Sequence, residues 1–274
     1  MIEQPNVHLA LPSHADNVVI VREIINALAE RVEFGGVIDD VRAAVSEACN
    51  NVVLHAYPGT EGPMEVDLRV RPGELVAVVR DFGVGTVARV ADDESPGRGI
   101  GLAVIEALAA EVELRARPRY GVEVQMTFAI PATAVLAGVE AVDEQIVAAS
   151  DVSLLITPSE LVGAVLNRLL GALAVRAGFS LDRLSDAQLM SDALGARLTS
   201  VLDNGGVAVG VDVLERAFAL RVGRLRPGGA ASLLADSAIG ELGPLIERLA
   251  DEVEVTDVGG AEVLSIVMRA VPAA

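Results

Sequence analysis

Two side chains four residues apart, Glu47 and Asn51, give the first hint of chemistry. On a helix, positions i and i+4 share one face. A carboxylate there can orient or deprotonate a nucleophile attacking a phosphoryl group. A carboxamide oxygen is a hard ligand suited to Mg²⁺, which keeps most of its waters and takes few protein ligands. Asn50 points about 100° away around such a helix. His55 falls another turn on, in line with Glu47 and Asn51. An isolated pair of this kind is ordinarily a solvated helix face, so the neighbouring segments decide.

Asp81 follows the apolar run Leu75 to Val79, at or just past the end of a buried strand. A carboxylate held there accepts a hydrogen bond from an exocyclic amine such as that of adenine. Gly83 and Gly85 allow a turn and a close approach of the base to the backbone. Gly97-Arg-Gly-Ile-Gly-Leu102 then lies at a loop-to-helix junction. Backbone N–H groups at a helix N-terminus bind phosphate, and glycines let it come close. Arg98 supplies a planar charged donor for a terminal phosphate. Together the three segments describe a pocket for ATP and Mg²⁺.

Other nucleotide folds are excluded or disfavoured. All 21 basic residues are Arg, so a phosphate loop that needs Lys is ruled out. Asp81-Phe-Gly83 occurs in two-lobed protein kinases, but this chain has no H-R-D motif and no strand Lys. The dinucleotide glycine fingerprint should follow the first strand of a βαβ unit, whereas Gly97 to Leu102 follows a long polar loop. A net charge of −18 argues against direct nucleic-acid binding and leaves a basic protein as a partner class. No apolar run approaches the ~20 residues of a membrane span. No secretory signal is visible, and the single Cys49 forms no intrachain disulfide. A cytoplasmic protein is expected.

The elements that position these residues follow from periodicity. A strand is expected at Val7 to Leu11, then a helix opened by Pro12-Ser13 and broken at Gly35-Gly36. A second helix runs from about Ile38 to His55. Strands at Met64 to Val70 and Leu75 to Arg80 are joined by Pro72-Gly73. A polar loop spans Phe82 to Arg98, and a helix runs from Gly99 to about Ala110. Strands at Val112 to Ala116 and Val122 to Ile130 bracket a turn ending at Gly121. With 274 residues there is room for two domains: 1–131, a linker 132–150 and 151–274.

The second domain repeats the first. Ala27-Leu28-Ala29-x-Arg31-x-x-Phe34 recurs 145 positions on as Ala172-Leu173-Ala174-x-Arg176-x-x-Phe179. Ile105-Glu106-x-Leu108-Ala109-x-Glu111-Val112-Glu113 recurs 141 positions on, from Ile246 to Glu254. These shifts put Asp192 under Glu47, Gly195 under Asn50 and Ala196 under Asn51. Val222 falls under Asp81, Arg224 and Arg226 under Gly83 and Gly85, Gly240 under Gly99 and Leu242 under Gly101. The core pattern survives and the site does not, so the second domain is expected to bind no nucleotide.

The three segments resemble the N, G1 and G2 boxes of the GHKL ATPase superfamily. Their order and spacing over about residues 5–131 are similar to those of the anti-sigma-factor serine/threonine kinases, with Glu47-Ala-Cys-Asn-Asn51 and Leu54-His55-Ala56-Tyr57 as the most specific piece. The resemblance implies a two-layer α/β sandwich of the GHKL (Bergerat) type, with a mixed, mostly antiparallel sheet, present twice in tandem. It implies Glu47 as general base and Asn51 as the Mg²⁺ ligand. Asp81 would bind the adenine amine, and Gly83 and Gly85 would shape its pocket. Arg98, Gly99, Gly101 and Leu102 would surround the phosphates of ATP or ADP, Asn50 and His55 would stand beside the site, and Phe82 to Gly97 would form the lid. The implied partners are a sigma factor and a small anti-anti-sigma (STAS-type) protein that receives the phosphate. Val122 departs from the Thr that many members carry after the glycine. Such kinases usually dimerise, so a homodimer or an intramolecular pseudo-dimer is expected. The alternatives are a non-catalytic regulator gated by nucleotide and an ATPase module without kinase activity.

Overall fold

In the computed structural model the described residues are 5–84, 99–117, 120–134, 136, 147, 150–203, 206–236 and 244–271. The chain divides into two compact units, Met1–Leu136 and Ala137–Ala274. No helix among the described residues is long and apolar enough to cross a membrane.

The first unit opens with β1 (Val7–Pro12), in which buried Val7, Leu9 and Leu11 alternate with less buried neighbours. α1 (Ala15–Ala29) buries Val18, Val21, Ile24, Ile25 and Leu28 at helical spacing. α2 (Ile38–His55) carries Asp39 and Asp40 in its first turn, acidic charges that suit the helix dipole, and ends at His55. β2 (Pro63–Arg71) and β3 (Glu74–Asp81) form a hairpin whose turn needs the positive φ of 89° at Gly73. α3 (Gly99–Leu108), β4 (Glu111–Ala116) and β5 (Val122–Ala129) complete the unit.

The strands lie in the order β1-β2-β3-β5-β4. Each of the four pairings is antiparallel, where a mixed, mostly antiparallel sheet was expected. α1 packs on β1 and α2, and α2 packs on β3, β5 and α3, so the helices form a layer on the sheet. Strand parity sorts the side chains. Leu9, Val66, Leu68, Ala77, Val79, Met126 and Phe128 face the helices and are buried. Asp81 shares that parity and stands on the helix side at the end of β3. The other face is charged: His8 Nδ1 lies 2.6 Å from Asp67, and Arg80 donates to Asp67 and Glu123 at 2.7 Å each.

Three boundaries differ from expectation. α1 is capped by His14, whose ring accepts from Asp16 N–H. Ser13 does not open the helix, because its hydroxyl and N–H are both committed to Gly62. α1 ends at Ala29, well before Gly35-Gly36, whose positive φ values serve the turn into α2. α3 stops at Leu108, two residues early, where Ala110 N–H turns to Thr127 at the sheet edge.

The second unit comprises β6 (Val152–Ile156), a 3-10 turn (Ser159–Leu161), α4 (Val162–Arg176), α5 (Leu181–Val201), β7 (Val207–Leu214) and β8 (Ala217–Leu225). α6 (Gly229–Asp236), α7 (Leu245–Leu249), β9 (Glu252–Val258) and β10 (Ala261–Arg269) follow. Its strand order is β6-β7-β8-β10-β9, also antiparallel throughout. Arg71 pairs with Glu74 at one hairpin turn, and Leu214 with Ala217 at the other. Counted from these turns, Arg216 (φ 56°) takes the place of Gly73. Arg224, and not Val222, then takes the place of Asp81, while Gly83 and Gly85 fall on Arg226 and Gly228.

Candidate functional site

The site is built on a flank of α2, next to its buried residues Ala44 and Ala48. Glu47 and Asn51 are both half-buried there, and the first turn of α3 comes against them. A Cβ added at Gly101 would lie 2.4 Å from Glu47 Oε1 and 3.2 Å from each polar atom of the Asn51 carboxamide. Only glycine fits this approach without displacing the Glu47 carboxylate. The start of α3 is thereby brought to the carboxylate and carboxamide, and the first N–H groups of a helix have no acceptor within the helix itself. Leu102 follows on the same turn, half-buried. Asn50 and His55 are also half-buried on α2. Cys49 takes no part: burial pushes its thiol up to about 12, with Arg22 opposing only weakly.

A second cluster forms at the far end of α2. Asp81 is 1% exposed, and its Oδ1 accepts from Gly83 N–H at 3.0 Å. A Cβ on Gly83 would fall 2.0 Å from the Ala56 carbonyl oxygen, so this glycine is required by backbone packed on backbone. The same holds for Gly121, at φ 98°, whose added Cβ would fall 2.0 Å from the Asp81 carbonyl oxygen. Phe82 N–H donates to the Tyr57 hydroxyl at 2.8 Å, and the Arg117 guanidinium lies 4.4 Å over the Phe82 ring.

The structure thus brings Gly101 to Glu47 and Asn51 along the second half of α2, and Asp81 and Gly83 together just past the C-terminal end of the same helix. Gly85, Arg98 and most of the expected lid lie outside the described residues. Sequence reasoning assigned no part to Tyr57 or Arg117, and saw Gly121 only as a turn. The signal for Gly121 was its place just before a strand; for Tyr57, a tyrosine two residues past a helix with Gly62 nearby. Among the described residues no group of three or more His, Cys, Asp or Glu could hold a metal. A lone carboxamide oxygen beside a helix N-terminus is a donor that fits Mg²⁺, an ion that takes few protein ligands and fills the rest of its shell with water or substrate oxygens.

A separate cleft of about 410 Å³ lies between α1 and α2. Arg22, Glu23, Asn26, Asp39, Arg42 and Ser46 line it, on a different flank of α2 from Glu47 and Asn51. Arg22 Nε donates to Ser46 at 2.7 Å, and Arg42 Nη1 donates to Asn26 at 3.0 Å.

Comparison with known proteins places this geometry. The histidine kinase-like ATPase domain family matches residues 11–128, which include α2, β3 and α3. The serine-protein kinase RsbW of Bacillus pumilus is 32% identical over 138 residues, covering 44% of this chain and 83% of that protein. The serine-protein kinase RsbW of Bacillus subtilis is 31% identical over 136 residues, with the same coverage. Crystal form I of TP0453 matches across 98% of this chain and 90% of its own at 10% identity, with a TM-score of only 0.37. The matched segment holds Glu47, Asn51, Asp81 and Gly101, and the chain accordingly belongs to the anti-sigma-factor kinase family of the GHKL, or histidine kinase-like, ATPases.

Proposed function

We propose that this chain is an ATP-dependent protein serine/threonine kinase that phosphorylates a small anti-anti-sigma partner of the STAS type and sequesters a sigma factor. The observation that carries the reading is the contact of Gly101 with both Glu47 and Asn51, which puts a helix N-terminus, a carboxylate and a carboxamide at one point. Asn51 holds Mg²⁺, which when bound neutralises charge on the phosphates. The backbone N–H groups at the start of α3 bind phosphate oxygens, and Arg98 joins them. Asp81 accepts a hydrogen bond from the adenine amine. Glu47 takes the proton of the partner's Ser or Thr hydroxyl as its oxygen bonds to the γ-phosphorus, and the bond to ADP breaks.

The second unit is read as a worn copy without a nucleotide. Supporting this, Ala196 stands where Asn51 would and Arg224 where Asp81 would. The N–H groups of Gly228 and Ala230, at the start of α6, are taken by the Glu262 carboxylate at 2.7 and 2.8 Å. Those bonds hold the Glu262 carboxyl below its usual range.

Labelled ATP and candidate anti-anti-sigma proteins test the reading. Transfer to a Ser or Thr is expected with the native chain and is lost in Glu47→Ala, while ATP binding persists at one equivalent per chain by calorimetry. Transfer that survives the substitution removes Glu47 as base. Binding without transfer favours the nucleotide-gated regulator, and two equivalents of ATP overturn the reading of the second unit.

A further inference from the structure

We infer that Tyr57 is a positioning residue that sets the selectivity of the site for adenine, acting through the backbone of Phe82 and Gly83 on Asp81. The inference rests on the reading of Asp81 as the acceptor of the adenine amine.

The β3 ladder ends at Asp81, which pairs with Met64, so Phe82 N–H has no strand partner. Tyr57 supplies one. Its hydroxyl accepts from Phe82 N–H at 2.8 Å and donates to the Pro63 carbonyl at 2.6 Å. One oxygen therefore ties the exit of β3 to the start of β2, from a residue just past the helix that carries Glu47 and Asn51. The next backbone group along, Gly83 N–H, is the one that holds Asp81 Oδ1. The direction of the carboxylate is thus fixed by a loop segment whose own direction is fixed by Tyr57. The ring fits only because residue 62 lacks a side chain: a Cβ there would fall 2.3 Å from Tyr57 Cε1. Burial first, then the charges of Asp81 and Glu65, push the Tyr57 phenol above its usual range, against the opposing pull of Phe82 N–H and Arg117. The hydroxyl keeps its proton wherever the protein is assayed.

A carboxylate aimed at position 6 of a purine discriminates. It accepts from the amine of ATP and repels the oxo group of inosine triphosphate. A residue acting through Asp81 changes that ratio, whereas a merely structural residue lowers both affinities together. Tyr57→Phe keeps the ring and deletes both hydrogen bonds. In the full chain it is expected to weaken ATP about fivefold, the worth of one net hydrogen bond, and to leave inosine triphosphate nearly unchanged. Gly62→Ala, which displaces the ring, is expected to lower the ratio in the same way. The native ratio is expected to be flat from pH 6 to 9. A native chain that binds both nucleotides equally overturns the role of Asp81. A native preference that Tyr57→Phe and Gly62→Ala leave intact, or equal losses for both nucleotides, overturns the role of Tyr57 and leaves Asp81 standing.

Discussion

The helix pair of the first unit stands open, and that of the second is closed. Between α1 and α2 lies the cleft lined by Arg22, Asn26, Asp39, Arg42 and Ser46. Between α4 and α5, Gly163 and Gly195 meet: a Cβ added to Gly195 would fall 2.7 Å from the Gly163 Cα. The shift of 145 residues puts Asn167 under Arg22 and Ser191 under Ser46. Arg22 bonds Ser46, but Asn167 bonds Asp192, and the Ser191 hydroxyl is buried with no hydrogen-bond partner. Gly195 itself falls under Asn50. Where one unit keeps polar groups on α2, the other has small residues that let two helices touch.

The largest effect is expected where the first unit is made more like the second. If the shift of 141 residues reads as a repeat, Leu242 falls under Gly101 in the sequence, and Gly101→Ala takes the first unit one step toward that pattern. The added Cβ meets the far end of the flexible Glu47 side chain, which can swing away, so the fold survives and the carboxylate moves. Phosphoryl transfer is expected to fall about 100-fold, the cost of misplacing a catalytic group by about 1 Å. The melting temperature is expected to stay within about 2 °C. A variant with full transfer would separate Glu47 from the chemistry and dissolve the contrast between the units.

Much of this site is legible in the sequence. Apolar spacing places α2 at Ile38 to His55, and that spacing alone puts Glu47 and Asn51 on one face. The continuous apolar run of β3 puts Asp81 at a buried strand end. What stays hidden are ties between distant residues: Gly121 to Asp81, Tyr57 to Phe82, Ser13 to Gly62. No local pattern encodes them, since each is a close approach or hydrogen bond made across the fold. The placement of Val222 under Asp81 failed for a different reason. A hairpin slipped by two residues leaves every side chain on its original face, because the strand period is two. Burial patterns therefore accept either register, and only the paired turns separate Val222 from Arg224.

The closed helix pair gives an asymmetric test of intermediate size. At Gly195 a methyl would press on the Gly163 backbone at 2.7 Å, and neither main chain can yield without moving its helix. Gly195→Ala is expected to destabilise by about 2 kcal/mol, overpacking outweighing the better helix propensity of Ala. At Gly163 the same methyl would meet Gly195 Cα at 3.6 Å, an ordinary contact. Gly163→Ala is expected to change stability by less than about 0.5 kcal/mol. Chemical denaturation of the two variants measures both. Equal effects would mean that the helices do not close on Gly195.

The smallest effect concerns the sheet faces turned away from the helices. On the first unit, Glu123 accepts from Arg80 at 2.7 Å and Arg115 at 3.3 Å, and Arg80 reaches on to Asp67. By the hairpin register, Gly210 and Gly223 occupy the places of Asp67 and Arg80 in the second unit, where the ion pair on that face is instead Arg221 with Asp212. Burial alone would raise the Glu123 carboxyl, but the hydrogen bond and charge of Arg80, then those of Arg115, bring it below its usual range. Asp67 is likewise lowered against burial, by His8 and Arg80. A carboxylate lowered in the folded state adds stability above its unfolded pKa, and that stability is lost as pH falls through the folded pKa. Glu123→Gln is therefore expected to cost no more than about 1 kcal/mol at pH 7, as a partly exposed pair does. The gap between variant and native chain should close as the pH drops below about 4, the ordinary range for a glutamate. Urea titrations at pH 7 and pH 3.5 measure it. A gap that does not narrow at all at the lower pH would trace the loss to packing on the charged face, and the contrast between the two sheets would then be one of shape.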